Sequence, residues 1–181
     1  MAQEFGAGKY EDLRKTIGCS AALSLLSSAA LLCMGQLIAR PILELLQTPA
    51  EIIGNALLYL RIMYLGVPVV MSYNLLATIL RSLGDGRTPL YAMIVAAAVN
   101  IALDILFVPV MGFGIGGAAA ATLIAQIISG IFCFYHIRRI EILTLTASDF
   151  TLREHRPFKL FLLGAPMAFQ NAVISVGGMI V

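Results

Sequence analysis

The sequence predicts an all-α membrane protein, a polytopic bundle of about five transmembrane helices. Three observations carry this. The 181 residues are 60% hydrophobic and 12% charged, with a mean hydropathy of +0.92, where an average soluble domain is about 45–50% apolar and about 25% charged. Several apolar runs reach the roughly 20 residues that a helix needs to cross hydrocarbon. Lysine and arginine fall between those runs in an alternating pattern.

The runs come in order. Thr16 to Ala39 holds no charge in 24 residues. Residues 52–80 are interrupted by Arg61 alone, and residues 90–110 by Asp104 alone. MGFGIGG (111–117) breaks the pattern, and a fourth run covers 118–137. A polar linker, 138–159, precedes the fifth run, 160–181, and can form a short surface helix.

The basic residues set the expected orientation. Lys9, Arg14 and Lys15 precede the first run, and Arg40 follows it. Arg81 and Arg87 come next, the glycine loop has none, and the linker has Arg138, Arg139, Arg153, Arg156 and Lys159. The series 3, 1, 2, 0, 5 alternates throughout, and cytoplasmic loops are the ones rich in Lys and Arg. The N-terminal end is therefore expected in the cytoplasm and the glycine loop outside, in a plasma membrane (the inner membrane in a Gram-negative bacterium). A last run without polar flank, and an opening stretch that reads as a loop, mark the chain as a fragment of something longer.

Other classes find no support. The first 16 residues, MAQEFGAGKYEDLRKT, are not a secretory signal. Cys19, Cys33 and Cys133 sit in apolar runs, where cysteine acts as a small hydrophobe. His136 and His155 are isolated, and no metal-ligand spacing, phosphate-cradling loop, nucleophile–base pair or nucleic-acid patch is present. No enzyme is expected.

Within the third run, AVNIALDILFVP (98–109) carries Asn100 and Asp104. They are spaced i, i+4 and share one helix face. Asp104 lies about 9 Å from the outer end of its helix, and Thr122 and Gln126 about 6 and 12 Å down the next one. A short loop makes the two helices antiparallel neighbours, so the four residues are expected in one layer of the outer half of the membrane. Carboxylate, amide and hydroxyl oxygens suit a hard cation such as Na⁺, and a carboxylate can carry a proton. The small residues AAAAT (118–122) let helices approach closely. Asn100, Thr122 and Gln126 can also be interhelical hydrogen-bond partners, a reading as good as the functional one for Asn100 and the favoured one for Gln126. A buried charge is harder to explain that way, because it is costlier than an amide. Arg61 reads as structural, snorkelling outward or pairing with a carboxylate. RSLGDGRTP (81–89) reads as a tight turn before a helix beginning at Thr88-Pro89. Bends are expected near Pro68 and Pro166.

RSLGDGRTPLYAMIVAAAVNIALDILFV followed by GFGIGGAAAATLIAQ resembles the multidrug and toxic compound extrusion (MATE) family of secondary transporters. Its G-D-x-x-T-P turn falls on Gly84, Asp85, Thr88 and Pro89. Its N-x-x-L-D falls on Asn100, Leu103 and Asp104, and its G-x-x-G-A-A-x-A-T on Gly114, Gly117, Ala118, Ala119, Ala121 and Thr122. YLRI (59–62) is similar to the family's fourth helix and GAPMAFQ (164–170) to the start of its seventh. The resemblance implies the end of helix 2 through helix 7 of a twelve-helix protein. Residues 1–137 would belong to the N-terminal six-helix bundle and 160–181 to the first helix of the C-terminal one. It implies a Na⁺- or H⁺-coupled antiporter that exports organic cations, drugs or other amphipathic compounds. Asn100, Asp104 and Thr122 would be cation ligands alongside a helix 1 aspartate outside this chain; Gln126 and Arg61, from their place in the spans and not from the resemblance, are candidate accessory residues. No cofactor beyond the coupling ion is expected. The expected partners are the lipid bilayer and a small organic substrate, with no nucleic acid. A lipid-linked oligosaccharide flippase and a non-transporting membrane scaffold are the alternatives.

Overall fold

The computed structural model describes residues 1–140 and Gln170. The expected linker beyond Ile140, the fifth run and Pro166 lie outside the described residues. Helix α1 (Ala2–Gly6) is one short turn, followed by α2 (Tyr10–Leu45), α3 (Ala50–Ser82), α4 (Arg87–Ile105), a π turn (Leu106–Val110) and α5 (Gly114–Arg138). Among the described residues, four helices are long and apolar enough to cross a membrane, with α4 and the π turn counting as one, Arg87–Val110.

Helices α2, α3 and α5 outrun the apolar stretches at both ends. Helix α2 starts at Tyr10 rather than Thr16, with Glu11 and Asp12 in its first turn, where carboxylates meet the positive end of the helix dipole. It also continues through Pro41 to Leu45, so Arg40 lies inside a helix and not in a loop. There Arg40 Nε donates to Glu44 Oε1 at 2.9 Å, an i, i+4 pair that supports the added turn. Helix α1 folds back on α2, where the Thr16 hydroxyl donates to Glu4 Oε1 at 2.9 Å. Helix α3 runs unbroken across Pro68. Before α4, Asp85 accepts the Thr88 backbone N–H at 3.0 Å, which satisfies one of the donors that a helix start leaves open.

Contacts fix the topology. Gly35 on α2 lies against the Tyr64 ring, and Gln36 Nε2 donates to the Arg61 carbonyl at 2.9 Å, so α2 and α3 run antiparallel. On α3 and α5, Leu58 meets Gly116 and Gly66 meets Leu123, a parallel pair. Helices α4 and α5 join Asn100 to Thr122 and share Ala92 and Cys133 in one core cluster, an antiparallel pair. Helix α3 thus packs between α2 and α5, and α5 between α3 and α4.

This order gathers Lys9, Arg14, Lys15, Arg81, Arg87, Arg138 and Arg139 at one end of the bundle, the basic end. The glycine loop (111–113) lies at the other. Large side chains face outward, with Leu37 77% and Ile101 61% exposed. Such a surface suits lipid, since soluble monomers rarely present large apolar patches to water.

Candidate functional site

The site is built on the seam between α4 and α5. On α4, Ala92, Ala96, Asn100 and Asp104 follow at spacings of four. The two alanines are buried and the two polar residues half-buried. On α5, Thr122 is half-buried and its hydroxyl donates to the Ala118 carbonyl at 3.0 Å. The same hydroxyl accepts a long hydrogen bond, 3.4 Å, from Asn100 Nδ2. The pairing expected from depth and spacing is therefore present.

The remaining two polar residues do not share that layer. In an antiparallel pair, four residues onward on one helix and four onward on the other lie in opposite directions. Asp104 stands one turn nearer the glycine loop than the Asn100–Thr122 bond, and Gln126 one turn nearer the basic end, about 12 Å apart along the axis. The four residues form a polar line down the seam rather than a single layer. Asp104 Oδ1 and Gln126 Oε1 are both buried with no hydrogen-bond partner. A charged carboxylate costs about 2.5–3.5 kcal/mol at the centre of a membrane helix and less toward its end, so an ion or a proton at Asp104 would offset part of that cost.

Arg61 does not complete this site. It is exposed on α3 and takes no part in the ion pairs Met1–Glu4, Lys15–Glu11 and Arg40–Glu44. Its contribution is the backbone carbonyl that Gln36 binds. No group of three or more His, Cys, Asp or Glu able to hold a metal occurs among the described residues. A cation at Asp104 would take mixed carboxylate, amide and hydroxyl oxygens, which fits Na⁺ or a proton better than a transition metal.

Two structural features near Asp104 were not expected from the sequence. The first is the π turn. Pro109 has no N–H to donate within an α-helical ladder, and the chain widens there, with the Met111 N–H donating to the Leu106 carbonyl at 3.0 Å. The second is the contact that seats this turn. A Cβ on Gly117 would stand 2.9 Å from Phe113 Cβ and 3.0 Å from Phe107 Cβ. Glycine there lets the π turn lie directly on α5. Pro109 at the end of an apolar run was the available signal, but a terminal proline more often just ends a helix. Gln36 and Ser129 also lie among other polar residues of apolar runs, and what each meets is set by the neighbouring helix.

Comparison with known proteins decides the family. A family model described as MatE matches residues 1–106. The probable multidrug resistance protein YpnP of Bacillus subtilis is 33% identical over 138 residues, 76% of this chain and 31% of that protein. The chain belongs to the MATE family. An FAD transporter of Shewanella oneidensis is 26% identical over 185 residues, 96% of this chain and 39% of that one. A solved inward-facing multidrug resistance MATE transporter of the MOP superfamily superposes with a TM-score of 0.85 at 26% identity, covering 91% of this chain and 38% of that one. The chain spans about a third of the length of the curated relatives it matches. Its helices are those of a multi-pass membrane transporter family, and its all-helical fold agrees with the class expected from composition.

Proposed function

We propose that this chain forms part of the N-terminal bundle of a cation-coupled antiporter that exports organic cations, drugs or other amphipathic compounds against Na⁺ or H⁺. The observation that carries the reading is the buried, partnerless Asp104 Oδ1, one turn from the Asn100–Thr122 hydrogen bond. Asp104 is the acceptor of the coupling ion, and Asn100 and Thr122 supply neutral oxygens beside it. Cation and cargo compete through one conformational equilibrium, each favouring a different state. The orientation that goes with this reading has the basic end in the cytoplasm and the glycine loop outside, so that the ion enters Asp104 from the outer face. The cargo class rests on the multidrug resistance relatives. The relative named as an FAD transporter favours a second reading in which the cargo is a flavin nucleotide.

The test is export by the full-length protein in vesicles, driven by an imposed Na⁺ or H⁺ gradient. Asp104→Asn, nearly isosteric and uncharged, removes the response to the gradient. Asn100→Ala and Thr122→Ala weaken it less, since each removes one neutral ligand. Wild-type export by Asp104→Asn, with unchanged gradient dependence, would show that the carboxylate is structural and favour the scaffold alternative.

A further inference from the structure

The polar line does not stop at Gln126. On α5, Thr122, Gln126, Ser129 and Cys133 follow at spacings of four, three and four, which keeps them on one helix face. The facing stripe of α4 offers Ala96 and Ala92 at these levels, both buried and neither carrying a side-chain polar atom. Ser129 is 1% exposed, yet its Oγ has no hydrogen-bond partner. Other helical hydroxyls in this chain, those of Ser20, Ser28, Ser72 and Thr78, donate to backbone carbonyls three or four residues earlier. Ser129 makes no such bond. Gln126 Oε1 is buried and unpartnered one turn away. Groups of this kind in a folded protein are ordinarily met by ordered water, and the alanines of the opposite helix offer no side-chain polar atom in its place.

We propose that the α4–α5 seam holds a file of bound water from Asp104 past Gln126 to Ser129, and that the coupling ion travels along it toward the basic end. The inference rests on the reading of Asp104 given above. The file spans about 16 Å at the helical rise. Each water has an acceptor in Gln126 Oε1 or Ser129 Oγ and a donor in the Gln126 amide or the Ser129 hydroxyl. A proton leaving the Asp104 carboxyl is taken by the first water, which passes one of its own protons to the next. Asp104 is left as the carboxylate, and the excess proton, on the water beside Ser129, passes to cytoplasmic water when the other state of the conformational equilibrium opens the basic end, so that one net proton moves. Sodium would instead exchange one set of oxygens for the next. The file ends at Cys133, where the apolar core of the basic end begins and closes it.

The experiment uses the full-length transporter in vesicles with an imposed Na⁺ or H⁺ gradient. Gln126→Met with Ser129→Ala is compared with Ser129→Thr, which keeps the hydroxyl, with Ser28→Ala, which removes a buried hydroxyl off the seam, and with Asp104→Asn. The double variant is expected to slow gradient-driven export about tenfold while the half-saturating cation concentration stays within about twofold, the pattern of a lost passage rather than lost binding. Ser129→Thr loses less than the double variant, and Ser28→Ala leaves export unchanged. Wild-type export by the double variant, with Asp104→Asn inactive, overturns the file alone. Slowed export matched by an equally raised half-saturating concentration also overturns it, since the seam would then be part of the binding site. Normal export by both variants overturns the cation reading as well. A high-resolution structure of the unaltered protein gives a check independent of the variants' folding. Water within hydrogen-bond distance of Ser129 Oγ supports the file, and a dry seam removes it.

Discussion

At the basic end of the bundle, Leu13, Ile17, Ile79, Leu80 and Ile137 close around Ala92 and Cys133 in a buried apolar cluster. Toward the glycine loop the buried residues are mostly small: Gly35, Ala39, Gly117, Ala119 and Ala121. There the seam carries Asp104 and the Asn100–Thr122 bond instead of large apolar side chains. Inside a membrane, helices gain little from hiding apolar surface from lipid, so they associate through close packing and hydrogen bonds. One end uses the bulk of leucine and isoleucine for this. The other uses backbone approach over glycine and alanine, which leaves room for polar groups. On the function proposed above, the first region carries stability and the second ion handling, and substitutions can tell the two apart.

The largest loss of stability belongs to the basic end. Leu80→Ala removes a fully buried side chain and is expected to cost about 2–4 kcal/mol, read as a lower unfolding midpoint of the purified protein in detergent. A loss below about 1 kcal/mol would mean that this cluster is not the packing centre. Gly117→Val comes next, because its Cβ meets Phe107 and Phe113. A loss of about 1–3 kcal/mol is expected from overpacking, together with weakened coupling, since the π turn beyond Asp104 must move. Unchanged coupling in that variant would separate the turn from the site.

Asp85→Ala should cost about 0.5–2 kcal/mol, the range for a lost helix cap, in the same unfolding measurement. This residue also has a pH signature. Its hydrogen bonds from Thr88, with smaller help from Arg87 and the nearby His136, hold the Asp85 carboxyl below the usual carboxylate range. A lowered folded-state value means that the contribution is fully present above the unfolded value and fades as pH falls through the folded one. The wild-type protein should therefore lose stability in acid more steeply than Asp85→Asn. Equal acid slopes would contradict the cap. The smallest stability effect is expected at the polar end: Asp104→Asn changes the unfolding midpoint little or raises it, because a half-buried carboxylate with a buried, partnerless Oδ1 becomes an uncharged amide. A large drop there would turn Asp104 into a structural residue and erase the contrast between the two ends.

Sequence by itself determined the class, four of the membrane helices and the alternation of basic ends. These rest on hydrophobic length and charge placement, which are local quantities. Asn100 and Thr122 could be matched because a three-residue loop between antiparallel helices leaves little freedom in depth. What only the tertiary structure decided was register and contact. The helix ends moved outward at Tyr10 and Leu45, since charged residues such as Glu11 and Arg40 can continue a helix beyond the hydrocarbon. The expected layer became a line because i+4 steps run opposite ways on antiparallel helices. The π turn at 106–110 and the seat it finds on Gly117 depend on how Pro109 is accommodated against a neighbour. Ser129, on the same helix face as Thr122 and Gln126, acquires meaning through the α4 alanines that face it, and no window of a single helix contains them.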